Sequence, residues 1–295
     1  MQLFLEQTIN GVALGSLYAL FGVGFGLVFA TLGILNAAHG CYASWAAIVG
    51  YYAVESLGLP FPVAILAGVL AGGAIAILVD QIAFQPLRDR GTGLLGALIT
   101  SIGFWIILDS LAGFATGQQS LAFPAASYPS GMTSIAGLRV PTMQIVVIVS
   151  LALCTVGIYL LIQKTRVGAA MRAVGWNPVS ASLGGVNSRM VILLTAFLAG
   201  ATSGLAGVLG GIATSNVSFT LGEGLMLKGF AAVVVGGFDD VRGTAIAGIC
   251  LGIIEVFVAQ YLSTSLRDGI TYSLLLIFLV VRPRGLFGSA SFQRA

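Results

Sequence analysis

The chain has 295 residues, of which 58% are hydrophobic and only 8% charged, with a mean hydropathy of +1.03. Soluble domains carry about 25% charged residues, so the composition excludes a soluble protein and defines an integral membrane protein. A net charge of +3 gives no reason to expect nucleic-acid binding, and the odd set Cys41, Cys154 and Cys250, without metal spacing, excludes a disulfide framework and a metal site.

The amino terminus opens with Glu6 rather than with basic residues, unlike a signal peptide. A first apolar span covers residues 8–30 and breaks at Gly33, where Asn36-Ala37-Ala38-His39-Gly40 precedes a second run to Tyr52. Pro60 and Pro62 turn the chain into a third span ending near Phe84, followed by the charged turn Arg88-Asp89-Arg90. Residues 94–115 form a fourth span containing Asp109, and residues 116–142 the longest non-membrane stretch. A fifth span, 143–162, leads into a basic segment, 163–189, with four cations and no acid.

Within that segment Val167, Ala170, Met171 and Val174 fall at i, i+3, i+4 and i+7, the stripe of a short amphipathic helix. Asn177 and Pro178 suit the N-cap and first position of a second helix. Val179, Leu183 and Val186 continue the apolar pattern, Gly184-Gly185 ends it, and Ser188 is placed to cap the next span. The pattern predicts a helix-turn-helix knob suited to docking, where a plain basic loop needs no such order.

The sixth span, 190–212, carries Gly200, Gly204, Gly207 and Gly211, a spacing for close helix packing. Residues 225–237 are apolar but short of the roughly 20 residues a spanning helix requires. Asp239-Asp240-Val241-Arg242 follows, then apolar runs at 244–262 and 269–281 and the tail beginning Arg282-Pro283-Arg284. These elements define an all-α, polytopic membrane protein with about eight to ten membrane segments, some short or broken. Positive charge at 88–90, 163–189 and 282–284 orients those segments, and hence the C-terminus, toward the cytoplasm, with the N-terminus outside.

No catalytic set is present: there is no phosphate-binding loop, and His39 is the sole histidine. Asn36 and His39, at a broken helix, are expected to line the gate or substrate path, facing a partner subunit. Glu255 lies mid-span and is expected to tie helices together as a polar anchor rather than to hold substrate. No lysine or arginine occupies a central span position to neutralise a carboxylate, and Glu255→Gln should retain substantial uptake because the amide keeps most hydrogen bonds. Asp80 and Asp109 are expected at the membrane interface, and Glu223 and Lys228 are placed either to pair or each to sit among headgroups. The path itself should be small and apolar, because a strong fixed ion would trap a zwitterion.

Five blocks carry a resemblance across nearly the whole chain. They are Asn10-Gly11-Val12-Ala13-Leu14-Gly15-Ser16-Leu17-Tyr18-Ala19-Leu20, Gly33 to Gly40, Thr165-Arg166-Val167-Gly168 with Arg172-Ala173-Val174, Leu227-Lys228-Gly229-Phe230-Ala231-Ala232, and Arg282 to Gly288. In this order the chain resembles the permease subunits of branched-chain amino-acid ABC importers. The resemblance implies one transmembrane permease domain over 1–295, in a bacterial inner membrane, with the ABC importer permease fold. It implies a second homologous permease, two cytoplasmic ATPases that bind ATP and Mg, and an extracytoplasmic substrate-binding protein. No cofactor would bind this chain, which would not be an enzyme. The segment 163–189 would be the part ATPases grip, through Arg166, Val167, Gly168, Met171, Arg172, Asn177, Pro178, Leu183 and Gly185. The chain departs from the family pattern in two places. It has Trp176, Asn177 and Val179 where acids are usual, and Asp239-Asp240 where uncharged residues are. The residues alone leave room for a proton-coupled secondary transporter using Glu255 and Asp109, or a passive solute channel.

Overall fold

A computed structural model describes residues 2–135, 137–282 and 285–288. The first helix, α1 (Gln2–Leu32), runs 31 residues without interruption. Gly33, with φ of +66°, takes a left-handed turn open to glycine and ends it. After the break come α2 (His39–Glu55), then α3 (Phe61–Val79), which passes through a π-helical turn, Asp80–Phe84, into α4 (Gln85–Asp89). The chain continues as α5 (Leu94–Thr116), a small hairpin of β1 (Met132–Ile135) and β2 (Leu138–Pro141), and α6 (Thr142–Lys164). Two short helices, α7 (Arg166–Trp176) and α8 (Pro178–Leu183), precede α9 (Ser188–Ala213), α10 (Leu221–Gly236), α11 (Val241–Tyr261) and α12 (Arg267–Val281).

Seven helical segments among the described residues are long and apolar enough to cross a membrane. The other two apolar runs, α2 with 17 residues and α10 with 16, are helical but shorter. All nine apolar segments read from the sequence are thus helices; the shortness of α10 is expected from the sequence, that of α2 is not. Among the described residues the one sheet element outside the all-α reading is the hairpin, in the loop that joins α5 to α6.

α1 is the axis of the bundle: from Ser16 to Val28 every residue is buried. Such burial requires neighbouring backbones to come close, and missing side chains allow it. A Cβ at Gly15 would lie 2.5 Å from the Gly248 carbonyl oxygen on α11, and one at Gly22 would lie 2.9 Å from that of Gly229 on α10. The same device joins α3 to α9, where Gly68 and Gly72 meet Gly204 and Gly200. The predicted glycine ladder of the sixth span is therefore a packing face.

The bundle has two distinct ends. Arg88, the α7–α8 knob and residues 238–241 surround one cavity and so share one end. The segment 285–288 joins them there, since the Leu286 and Phe287 amides donate to the Val235 and Gly236 carbonyls at 2.8 and 3.0 Å. Leu121, in the α5–α6 loop, pairs with Val217, before α10, at the opposite end. Pro283 and Arg284 of the basic tail lie outside the described residues.

Overpacking α1 should therefore be costly. Gly15→Leu is expected to destabilise by about 1–3 kcal/mol or more, since a helix backbone rather than a flexible side chain must yield. Thermal unfolding in detergent checks this; an unchanged transition would show that the α1–α11 contact is loose.

Candidate functional site

The knob is built by local capping. The Thr165 hydroxyl oxygen accepts from the Gly168 amide at 3.0 Å, closing the first turn of α7. Asn177 Oδ1 accepts from the Val179 and Ser180 amides, both at 2.9 Å, and Pro178 opens α8, as the sequence predicts. Gly185, with φ of +84°, turns the chain out of the knob. The cap of α9 is Asn187, whose Oδ1 accepts from the Met190 amide at 3.0 Å. Ser188, expected in that role, instead donates to the Pro178 carbonyl and meets the Ser182 hydroxyl.

The stripe of α7 faces the chain's own interior. Met171 and Val174 pack with Ala181, Val191 and Ile192, and a Cβ at Gly175 would stand 2.8 Å from the Ala30 carbonyl oxygen of α1. Met171 is 2% exposed, which corrects its assignment to an outward docking surface: it welds the knob to α1 and α9. Gly168 is buried too, against the Leu161 and Ile162 carbonyls. Arg172 donates to the Ile162 carbonyl and stays at the surface with Arg166, Val167, Asn177, Pro178 and Gly185. The large apolar groups offered outward are Trp176, Val179 and Leu183, exposed by 75%, 70% and 87%. Trp176 was legible in the sequence only as an oddity.

Beside the knob opens a cavity of about 750 Å³. Its apolar wall includes Leu27, Met171 and Ile192, and its rim carries Arg88, Arg172, Asp239 and Asp240. Trp176 and Asp239-Asp240, the two departures from the family pattern, thus border one space. Asp240 is occupied, its Oδ1 capping α11 through the Arg242 and Gly243 amides.

Asn36 and His39 come together, but inside the chain's own core rather than on a surface facing a partner. Asn36 donates to the Tyr42 hydroxyl at 2.9 Å and accepts from the Ala38 amide at 3.0 Å. The His39 ring is wholly buried, edge-on to Phe21, Phe25 and Tyr42, with ring centroids 4.8, 5.6 and 5.3 Å apart. Neither ring nitrogen meets a hydrogen-bonding group among the described residues.

Glu255 is the hub of the second polar cluster, and it is fully buried. Its Oε1 accepts from the Tyr18 hydroxyl at 3.0 Å, from Lys228 Nζ at 2.6 Å and from Arg267 Nε. Lys228 also pairs with Asp268 at 3.0 Å. One carboxylate therefore joins α1, α10, α11 and α12. Two cations neutralise it although neither reads as central to a span, and Lys228 pairs with Glu255 and Asp268, neither of the two settings read from the sequence. Asp80 is likewise buried in the chain and holds Arg88 through two bonds of 2.7 and 2.8 Å. Among the described residues no group of three or more His, Cys, Asp or Glu is placed to hold a metal.

A bundle of buried, glycine-packed helices with a capped knob at one end is the frame of a membrane permease. The chain matches the family described as branched-chain amino acid transport system / permease component over residues 7–280. It is 30% identical to the high-affinity branched-chain amino acid transport system permease protein LivH of Salmonella typhimurium, with 99% of this chain and 97% of LivH covered. It is 29% identical to the corresponding protein BraD of Pseudomonas aeruginosa, over 99% and 98%. Its fold is similar to that of a putative metal-chelate type ABC transporter solved in an inward-facing conformation, with a TM-score of 0.54 and 16% identity over 94% of this chain and 85% of the other. The chain belongs to the branched-chain amino acid transport permease family. It is a multi-pass, non-catalytic permease subunit, as the sequence resemblance implied.

The buried carboxylate now carries a prediction opposite to the one its sequence context offered. Glu255→Gln leaves Lys228 with Asp268 but takes the carboxylate from Arg267, and breaking a buried pair in this way costs about 3–5 kcal/mol. The double variant Glu255→Gln/Arg267→Gln is expected to recover most of the loss, read as the shift in thermal unfolding of the purified permease. Equal stability of wild type and Glu255→Gln would show that the cluster contributes nothing.

Proposed function

We propose that this chain is the membrane half-channel of an ATP-driven importer for branched-chain amino acids or a related small polar solute. In this reading a second homologous permease completes the channel, and two cytoplasmic ATPases bind ATP and Mg. An extracytoplasmic binding protein delivers the solute. The names of LivH and BraD support the solute class. The knob end, rich in cations, faces the cytoplasm by the charge bias of membrane proteins.

The observation that carries the coupling role is the two-sided construction of the knob. Met171 and Val174 fix its inner face to α1 and α9, while Trp176, Val179 and Leu183 stand exposed on its outer face. A segment rigidly joined to the bundle and apolar on its outer side is suited to receive a stroke and pass it on. Burying Trp176 and Leu183 in an ATPase groove would contribute about 3–6 kcal/mol before ordering costs. A proton-coupled carrier has no use for such a surface, and Glu255, held by two cations and a tyrosine, is poorly placed to shuttle protons.

Co-expression with candidate ATPases and a binding protein of this importer class, followed by reconstitution into liposomes, tests the reading. ATP-dependent leucine uptake is expected, and uptake without ATP would overturn it. Trp176→Asp/Leu183→Asp should release the ATPases while the permease stays monodisperse. Met171→Asp should instead disturb the permease itself, because that side chain is core. ATPases that still co-purify with the Trp176→Asp/Leu183→Asp protein would place the docking surface elsewhere.

A further inference from the structure

At the end of the bundle opposite the knob, α10 leaves part of its length uncovered. Its second half, Ala231–Gly236, is buried, but in its first half Glu223, Gly224 and Leu227 are exposed. A Cβ at Gly224 would meet no atom within 4 Å, so open space lies in front of this face.

The groups beside that space are charged, and they fall on two sides. Toward α2 and α5, Glu223 lies within electrostatic reach of the half-buried Asp109. α2 bridges the two helices: the Gly222 amide of α10 donates to the Ser44 hydroxyl at 2.9 Å, and Trp45 Nε1 donates to the Leu108 carbonyl of α5 at 3.0 Å. Asp109 makes no hydrogen bond or ion pair among the described residues. Toward α12, Lys228 holds Asp268, whose carboxylate is exposed by 63%.

Depth decides what this strip faces. Asp109 precedes the end of α5 by seven residues, and Lys228 follows the start of α10 by seven. At 1.5 Å per residue both lie about 10 Å inside the ends of their helices. Charged side chains at membrane depth are tolerated where they face a wet cavity or another subunit, and are costly against lipid. An uncovered helix face with acids on one side and a cation on the other is therefore unsuited to hydrocarbon. It matches a small dipolar solute: an ammonium group toward Asp109 and Glu223, a carboxylate toward Lys228, and an apolar side chain on Leu227.

We propose that the Gly224–Leu227 face of α10, with Asp109 and Glu223 on one side and Lys228 on the other, lines the solute path and receives a zwitterionic amino acid. This inference rests on the importer reading above and moves the path from Asn36 and His39, which are core, to α10 and α5. It also replaces the expectation of an uncharged path. Each charge here is partly balanced, Lys228 by Glu255 and Asp268, so the strip offers weak complementary contacts rather than a trap. The Lys228–Asp268 pair can exchange partners with an arriving zwitterion, its carboxylate taking Lys228 and its ammonium the acids, without any group being left alone.

The test uses the assembled importer, with its ATPases and binding protein, and with the three native cysteines replaced by serine. Gly224→Cys is expected to react with a membrane-impermeant thiol reagent and to be protected by leucine delivered on the binding protein. Asp109→Asn/Glu223→Gln should lower leucine uptake about tenfold or more, the worth of one hydrogen bond to a charged group, while ATPases still co-purify through the far end of the chain. Labelling of Gly224→Cys by a lipid-soluble maleimide alone would show that the strip faces lipid and overturn the proposal, as would unchanged uptake by the double variant. Failure of the importer reading has a different signature: a wild-type complex without ATP-dependent leucine uptake, in which Gly224→Cys labelling still decides whether the strip is wet.

Discussion

The approach of other helix backbones to α1 is the constraint on which the rest of the structure depends. A helix buried along most of its length must be met on several sides, and only positions without side chains let three neighbours come so near. Gly15 admits α11, Gly22 admits α10, and Gly24 admits α9 at Ala199 and Thr202. Without a hydrophobic drive between helices in lipid, such close contact is a main source of association. The cost is that nothing at these positions can grow.

Two further devices grip this rod at different levels. Midway along it, Glu255 binds Tyr18 of α1 to Lys228 of α10 and Arg267 of α12. At its C-terminal end, α7 lays Met171, Val174 and Gly175 against the last turns of α1 and the start of α9. A displacement of the knob therefore acts on α1 directly, and α1 reaches α10 through both the glycine contact and the ionic cluster. The uncovered strip of α10 is thus within one helix of the knob mechanically, although it lies at the opposite end of the bundle.

Much of this frame is legible in the sequence because it follows from local rules. Span limits came from hydropathy, α8 from Asn177-Pro178, and the close packing of α9 from glycines at 200, 204, 207 and 211. What the sequence withholds is which surface covers a face. The period of Val167, Ala170, Met171 and Val174 defines a stripe, but an apolar stripe reads the same whether its cover is a partner or the chain's own α9. Glu255 and Lys228 are 27 residues apart on different helices, and no spacing rule joins them. Asn187 and Ser188 are both good caps, and the chain's exit from Gly185 decides between them. His39 looked like a path residue because it sits at a break; the break instead turns its ring inward among Phe21, Phe25 and Tyr42.

The central claim, that the knob and α1 move as one body, has a direct test in the distance between Ala169, on α7 and outside the Trp176, Val179 and Leu183 patch, and Leu5, near the far end of α1. Both side chains are exposed and accept spin labels as cysteines in an otherwise cysteine-free chain. Pulsed electron resonance on the assembled importer, with and without ATP, reads this distance while ATP hydrolysis reports that the cycle is running. The account predicts one unchanged distance in every nucleotide state. A shift of the order of a helical turn, about 5.4 Å, would show the knob sliding on α1 and would contradict the rigid link from ATPase to path.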